Sequence, residues 1–195
     1  IAEIKKAVRA KAYERAPELA ARIKVEKDRN VLSCLLLALG RLKAREFTTV
    51  LRRFLRSDNA RVRANAIEGI GLMEDRSAWP ELNGFLEDPS SRVRVNAILA
   101  LRGCPGHDPH RLLAGLLSQP DAVFRRSALF GLLELRDAGA VELLAQSLVD
   151  PDAAVRETAM EYLGILKPEG MEPAARAYEQ AHAQGLRPPA SVTGF

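Results

Sequence analysis

Apolar residues in the second half of each helical stretch recur in threes, four positions apart, and the threes themselves return with a period of about 31 residues. The first member of each set is Val31, Val62, Val93, Phe124 or Val155. The second is Leu35, Ala66, Ala97, Ala128 or Ala159, and the third is Leu39, Ile70, Leu101, Leu132 or Leu163. Numbering each copy from its first member, positions 0, 4 and 8 lie on one face of an α-helix. A small residue at position 4 in four of the copies lets a neighbouring helix approach closely. Five copies in register predict a stack of like units.

The other half of each unit repeats as well. Phe54-Leu55, Phe85-Leu86, Leu116-Leu117 and Ser147-Leu148 end a second kind of helical segment. It is joined to the first kind by Arg56–Asn59, Glu87–Ser90, Ser118–Asp121 and Val149–Asp152. Pro stops a helix, and Asp, Asn or Ser accepts from the free N–H groups that begin one, so each joint reads as a stop followed by an N-cap. Two helices of about a dozen residues with short turns fill the period. The predicted organisation is a single solenoid domain over 1–184: a partial unit over 1–10, repeats over 11–41, 42–72, 73–103, 104–134 and 135–165, and a terminal half-repeat over 166–184. Within that half-repeat, Met171 to Ala183 reads as a helix, and Gly185-Leu186-Arg187-Pro188-Pro189 breaks the pattern before a tail over 185–195.

The stretch Asp58-Asn59-Ala60-Arg61-Val62-Arg63-Ala64-Asn65-Ala66 carries a D-x-x-x-V-R-x-x-A pattern that resembles the HEAT repeat. Asp88 to Ala97 and Asp150 to Ala159 carry it with one more residue before the Val. The short period is similar to that of the bacterial HEAT-like repeats named after phycobilisome lyases. The resemblance implies an all-α, right-handed α-α superhelix of the armadillo type, with the second helix of each unit lining a concave surface. Ankyrin and tetratricopeptide arrays have nearby periods, but their signatures are missing. Leu32 stands where the pattern has Arg, and Phe124 replaces Val. The joint Arg102-Gly103-Cys104-Pro105-Gly106 is rich in helix breakers and is expected to bend the stack locally.

Composition adds constraints on function. The chain is 47% apolar with only 5% aromatic, so its core is made from Ala, Leu, Val and Ile; 28% charged residues argue against disorder. No apolar run approaches the ~20 residues of a membrane span. Cys34 and Cys104 make neither a disulfide framework nor a zinc pattern, which suggests a reducing, cytoplasmic setting. The net charge of +4 is uneven: residues 1–65 hold 17 Lys/Arg against 7 Asp/Glu, whereas 66–195 hold 12 against 18. That asymmetry hints at an electrostatic partner.

Recurring charges read as structural. Arg63, Arg94, Arg125 and Arg156 form a ladder expected to pair with Asp residues of the same or a neighbouring turn, and Asn65, Asn96, Ser127 and Thr158 form a smaller polar series. Function is sought where the copies differ. At 100° per residue, positions 2 and 6 lie opposite the buried face. Position 2 reads Ser33, Ala64, Val95, Arg126, Glu157, and position 6 reads Leu37, Glu68, Leu99, Phe130, Glu161. Val95, Leu99 and Phe130 are therefore expected to form an exposed apolar patch with a charged border. The candidate partner-binding set is Leu37, Val95, Leu99, Arg102, Arg126, Phe130, Glu157 and Glu161, suited to a protein or peptide.

A second class of partner, nucleic acid, is suggested by the basic cluster Arg41, Lys43, Arg45, Arg52, Arg53 and Arg56, although no Trp or Tyr interleaves with it to stack a base. Trp79-Pro80 reads as a packing wedge at a helix start. His107, His110 and His182 are the only histidines; His107-x-x-His110 has a short spacing interrupted by Pro109, and it reads as a solvated turn. No phosphate loop or Ser-His-Asp arrangement occurs. The expected role is a non-catalytic scaffold or interaction module, with no cofactor and no metal. Nucleic-acid binding and a phycobilin-lyase-like subunit are the alternatives. Ile4 and Val8 stand one full period before Leu35 and Leu39, so residues 1–9 resemble the second helix of an interrupted unit. The intact gene is then expected to encode further copies upstream, and a natural start at Ile1 would count against that expectation.

Overall fold

A computed structural model describes residues 1–166, together with Arg176, Gln180 and Ala183. The described residues hold eleven α-helices and no strand: α1 (Ala2–Arg9), α2 (Ala16–Ile23), α3 (Arg29–Arg41), α4 (Thr48–Arg52), α5 (Ala60–Met73), α6 (Trp79–Asn83), α7 (Ser91–Ala100), α8 (Pro109–Leu117), α9 (Ala122–Leu135), α10 (Ala138–Gln146) and α11 (Ala153–Leu166). Even-numbered helices are the first of each pair, and odd-numbered helices are the second. The expected helix over Met171 to Ala183 and the tail over 185–195 lie outside the described residues, apart from Arg176, Gln180 and Ala183, each helical and exposed. Contacts divide the chain into two compact units, Ile1–His107 and a second beginning at Asp108.

The periodic face is the core of both units. Leu35, Ala66, Ala97, Ala128 and Ala159 at position 4, and Leu39, Ile70, Leu101, Leu132 and Leu163 at position 8, are all 0–1% exposed. A further row at position 5, namely Leu36, Ile67, Ile98, Leu129 and Met160, is buried too, so the apolar stripe is broader than the 0, 4, 8 spacing. At the joints, Asn59 accepts from the N–H groups of Arg61 and Val62, Asp121 from Val123, and Asp152 from Val155. These are the expected N-caps.

First helices are shorter than the sequence pattern suggests. α4 and α6 have five residues each and are preceded by 3-10 turns at Arg45–Phe47 and Arg76–Ala78. β-branched Thr48, Thr49 and Val50 disfavour a long helix in one, and the other carries Pro80 in its first turn and ends at Gly84.

Within the first unit the second helices lie very close. A Cβ added to Gly40 would stand 2.4 Å from the Cα of Gly69, and one added to Gly71 would stand 2.8 Å from the Cβ of Ala100. Backbones of α3 and α5 therefore touch directly. The equivalent residues of the second unit are Leu133 and Tyr162, which are too large for such an approach. Polar groups register the same seam. The Asn65 amide donates to the Ser33 carbonyl at 3.2 Å, and the Asn96 amide donates to the Ala64 carbonyl at 2.9 Å. In the second unit Ser127 and Thr158 instead donate back to Val123 and Ala154 of their own helices.

This seam corrects one expectation. Val95 is 1% exposed and does not belong to a surface patch; Ser33 and Ala64 in the same row are fully buried. Position 5 is core as well as positions 4 and 8, so the buried face is wider than the 0, 4, 8 spacing allows, and a short side chain at position 2 is covered. In the second unit the same row carries long, charged Arg126 and Glu157, and both are exposed.

Two arginines of the ladder, Arg63 and Arg125, do two jobs, whereas Arg94 and Arg156 bond carbonyls of their own turn, those of Asp88 for Arg94 and of Asp150 and Pro151 for Arg156. Arg63 donates from Nε and Nη2 to both Asp88 oxygens at 3.0 and 2.9 Å, and from Nη1 to the Ser57 carbonyl at 2.7 Å. Arg125 repeats this on Asp150 at 2.8 and 3.0 Å and on the Gln119 and Pro120 carbonyls. Each fork thus closes its own interhelix turn and reaches an Asp 25 residues ahead, in the next joint. Leu32, which cannot make the fork, has Ser57 at that distance.

The joint at 102–106 departs for a backbone reason. Lys43, Glu74 and Arg136 leave their helices with φ of 51°, 56° and 57°. Pro105 occupies the same register position, and its ring excludes positive φ. The chain turns at Gly103 and Gly106 instead, both at φ 83°, and α7 ends after ten residues.

Two outcomes follow from this packing. Gly40→Ala should destabilise the chain by about 1–3 kcal/mol in urea unfolding, because α3 and α5 must separate. Gly115→Ala, in a helix with open space around it, should stabilise by up to about 1 kcal/mol. Burial raises the pKa of Asp150, but the Arg125 hydrogen bond, the Asp152 N–H and the charges of Arg125 and Arg156 together hold it below the usual carboxylate value. Its stabilisation is complete above the unfolded value of about 4 and is lost as pH falls through the lower folded value. Asp150→Asn should therefore be less stable than wild type near neutrality, with the gap closing below about pH 4. A gap that stays constant into strong acid would show that the charge is not what matters.

Candidate functional site

In the second unit, α9 and α11 pack together and leave the expected functional row open. Phe130 is 41% exposed, an unusual position for a phenylalanine on a helix whose opposite side is core. Arg126 and Glu134, one turn to either side on α9, are exposed, as is Glu157 on α11; Glu161 is half-buried. These groups share one neighbourhood. The hydroxyl of half-buried Tyr162 is raised above its ordinary pKa by burial first and then by Glu161 and Glu134, with Arg126 opposing. The result is an apolar side chain inside a mixed charged rim. Val123 on α9 and Ile165 on α11 are also exposed, at 53% and 51%.

The first unit carries a different feature. Leu37 and Leu99 are half-buried. Leu99 and exposed Arg102 line a cleft of about 820 Å³ formed by the ends of α5 and α7 and the turn that leads into α6. Its lining comes from Gly71, Glu74 and Asp75 at the end of α5, Arg76, Ser77 and Trp79 in the turn into α6, Leu99, Ala100, Arg102 and Gly103 at the end of α7, and Arg45 from the preceding repeat. The Arg76 guanidinium lies 5.5 Å from the centre of the Trp79 ring. The carboxyl of Glu74 is held below its ordinary pKa by the Lys43 hydrogen bond and charge, then by Arg45 and Arg102. Asp75 accepts from the backbone and hydroxyl of Ser77, which it caps.

The cleft was only half visible in the sequence. Leu99 and Arg102 belong to the expected partner-binding set, and Arg45 to the basic cluster. Arg76 and Trp79 were assigned no binding role. The available signal was register: Arg45 and Arg76 hold the same position in successive repeats, and Trp79 is the chain's only tryptophan.

Half of the basic cluster is internally neutralised. Lys43 and Arg45 pair with Glu74 at 3.0 and 3.3 Å, and Arg52 lies 3.9 Å from Asp75 and 3.7 Å from Glu81. Arg41, Arg53 and Arg56 are exposed and make no ion pair among the described residues. The two described histidines do not converge: His107 Nε2 meets Asn83 Oδ1 at 2.8 Å, and His110 Nε2 meets Asp137 Oδ1 at 2.7 Å. His182 lies outside the described residues. Among the described residues, no group of three or more His, Cys, Asp or Glu could hold a metal ion, and no helix is long and apolar enough to cross a membrane.

A solved engineered protein is 19% identical over 87% of each chain, with a TM-score of 0.49. Human deoxyhypusine hydroxylase, solved in complex with glycerol, is 20% identical over 89% of this chain and 73% of its own, with a TM-score of 0.39. Neither likeness says what this chain does. No curated protein matches it. The pattern that defines HEAT repeats matches residues 49–106 and 109–181, the stretches that hold the Arg–Asp forks and the stacked second helices. On that match and on the helix pairs described above, this chain belongs to the HEAT-repeat family.

Proposed function

We propose that the chain is a non-catalytic interaction module that holds a partner protein or peptide on the face formed by its second helices. HEAT repeats generally serve protein–protein interaction or scaffolding. The observation that carries the reading is Phe130, exposed on α9 with charged Arg126 and Glu134 one turn to either side. Aromatic side chains ringed by polar groups are the common anchors of protein interfaces. Nothing at this site supplies a nucleophile with an adjacent base. The nucleic-acid alternative is weakened by Glu74, Asp75 and Glu81, which sit against Lys43, Arg45 and Arg52. The lyase-like alternative rests on a resemblance of period alone.

A photo-crosslinking amino acid at position 130 tests the proposal in extracts of the organism that encodes the chain. The expected result is one discrete protein adduct. Phe130→Asp should fold with a stability within about 1 kcal/mol of wild type and lose that partner. Charge reversal at Arg52 and Arg53 should leave it bound. Retention of the partner by Phe130→Asp, or its replacement by nucleic acid that is lost on charge reversal, would overturn the proposal.

A further inference from the structure

We propose that the cleft at the ends of α5 and α7 is a docking site for an acidic peptide segment of a partner protein, one in which carboxylates alternate with apolar side chains. The inference rests on the interaction-module reading and adds to it a second site with its own chemistry.

Charge complementarity selects the occupant. Three guanidiniums face the cleft, together with two carboxylates. Both carboxylates are already engaged: Glu74 by Lys43 and Arg45, and Asp75 by the Ser77 cap. Arg45 is committed too, donating to the Met73 carbonyl at the end of α5 as well as to Glu74. Arg76 and Arg102 remain, and neither makes a hydrogen bond or ion pair through its side chain among the described residues. Arg76 lies over the Trp79 ring and Arg102 acts on Glu74 through its charge, so the hydrogen-bonding edge of each planar guanidinium is left to offer a two-pronged site for a carboxylate. Trp79 and Leu99 line the same cleft and provide apolar contact.

The same features argue against a nucleic-acid strand. Arg76 already covers the Trp79 ring, the one aromatic surface on which a base could stack. Glu74 and Asp75 would repel a continuous phosphate backbone. A peptide places its carboxylates discretely and accommodates both. Extended chain also suits a cleft lined by both apolar and charged groups.

Trp79, as the only tryptophan, reports on the site directly. Random dodecapeptides displayed on phage are selected on the immobilised chain, and an enriched peptide is then titrated while Trp79 fluorescence is followed. The expected winners combine Asp or Glu with apolar residues. They should shift Trp79 emission saturably and bind more weakly as salt rises. Arg76→Glu and Arg102→Glu should each weaken binding by about tenfold or more. Arg56→Glu, an exposed charge outside the cleft, should leave it unchanged, as should Phe130→Asp, which separates failure here from failure of the other site. Failure to enrich any sequence, enrichment of basic or neutral ones, equal binding by the Arg102→Glu chain, or tighter binding of a single-stranded oligonucleotide would each overturn the proposal.

Discussion

The close approach of neighbouring second helices governs most of what distinguishes the two units. Where Gly40 meets Gly69 and Gly71 meets Ala100, no side chain separates the helices, and the backbones themselves set the distance. Asn65 and Asn96 can then reach a carbonyl of the preceding helix, so the seam is both tight and polar-registered. Short residues at position 2 disappear into it. Leu133 and Tyr162 replace the small pair in the second unit, Ser127 and Thr158 turn back to their own helices, and the row at position 2 reaches solvent. A change of a few side-chain volumes thus decides which residues of a repeated face are available to a partner.

Stacking and recognition consequently use different registers of the same helix. Positions 4, 5 and 8 are apolar in every copy and hold the core. In two copies position 1 carries a fork that fastens one joint to the next, where Arg63 finds Asp88 and Arg125 finds Asp150. With both partners about nine-tenths covered, such a pair fixes geometry more than it adds net stability. The remaining strip is free to vary. It becomes Phe130 among charges in one unit, and in the other the helix ends frame a cleft lined by Arg76 and Arg102.

The periodic core was readable because burial repeats with the sequence: five copies make each register position its own control. The joints were readable because Asp, Asn and Pro act locally. Val95 departs from the expected patch because a helical wheel gives angle but not how far packing extends around the helix, and a short side chain at position 2 is covered. The position-5 row was overlooked because Leu, Ile and Met there follow the position-4 residue directly and blur the 0, 4, 8 spacing. Arg76 and Trp79 come together through a 3-10 turn in place of the first turn of a longer helix, which the α-helical period does not describe. Pro105 was legible as a breaker, but its effect depends on the left-handed exits at Lys43, Glu74 and Arg136, and these show only in the backbone.

The central claim is that one register position is core in the first unit and surface in the second. Placing glutamine in turn at Ser33, Ala64, Val95, Arg126 and Glu157 and measuring unfolding free energies tests it most directly. The account predicts losses of about 2 kcal/mol or more at the first three and changes within about 0.5 kcal/mol at the last two. Equal tolerance along the whole row, or greater sensitivity at Arg126 and Glu157, would contradict it.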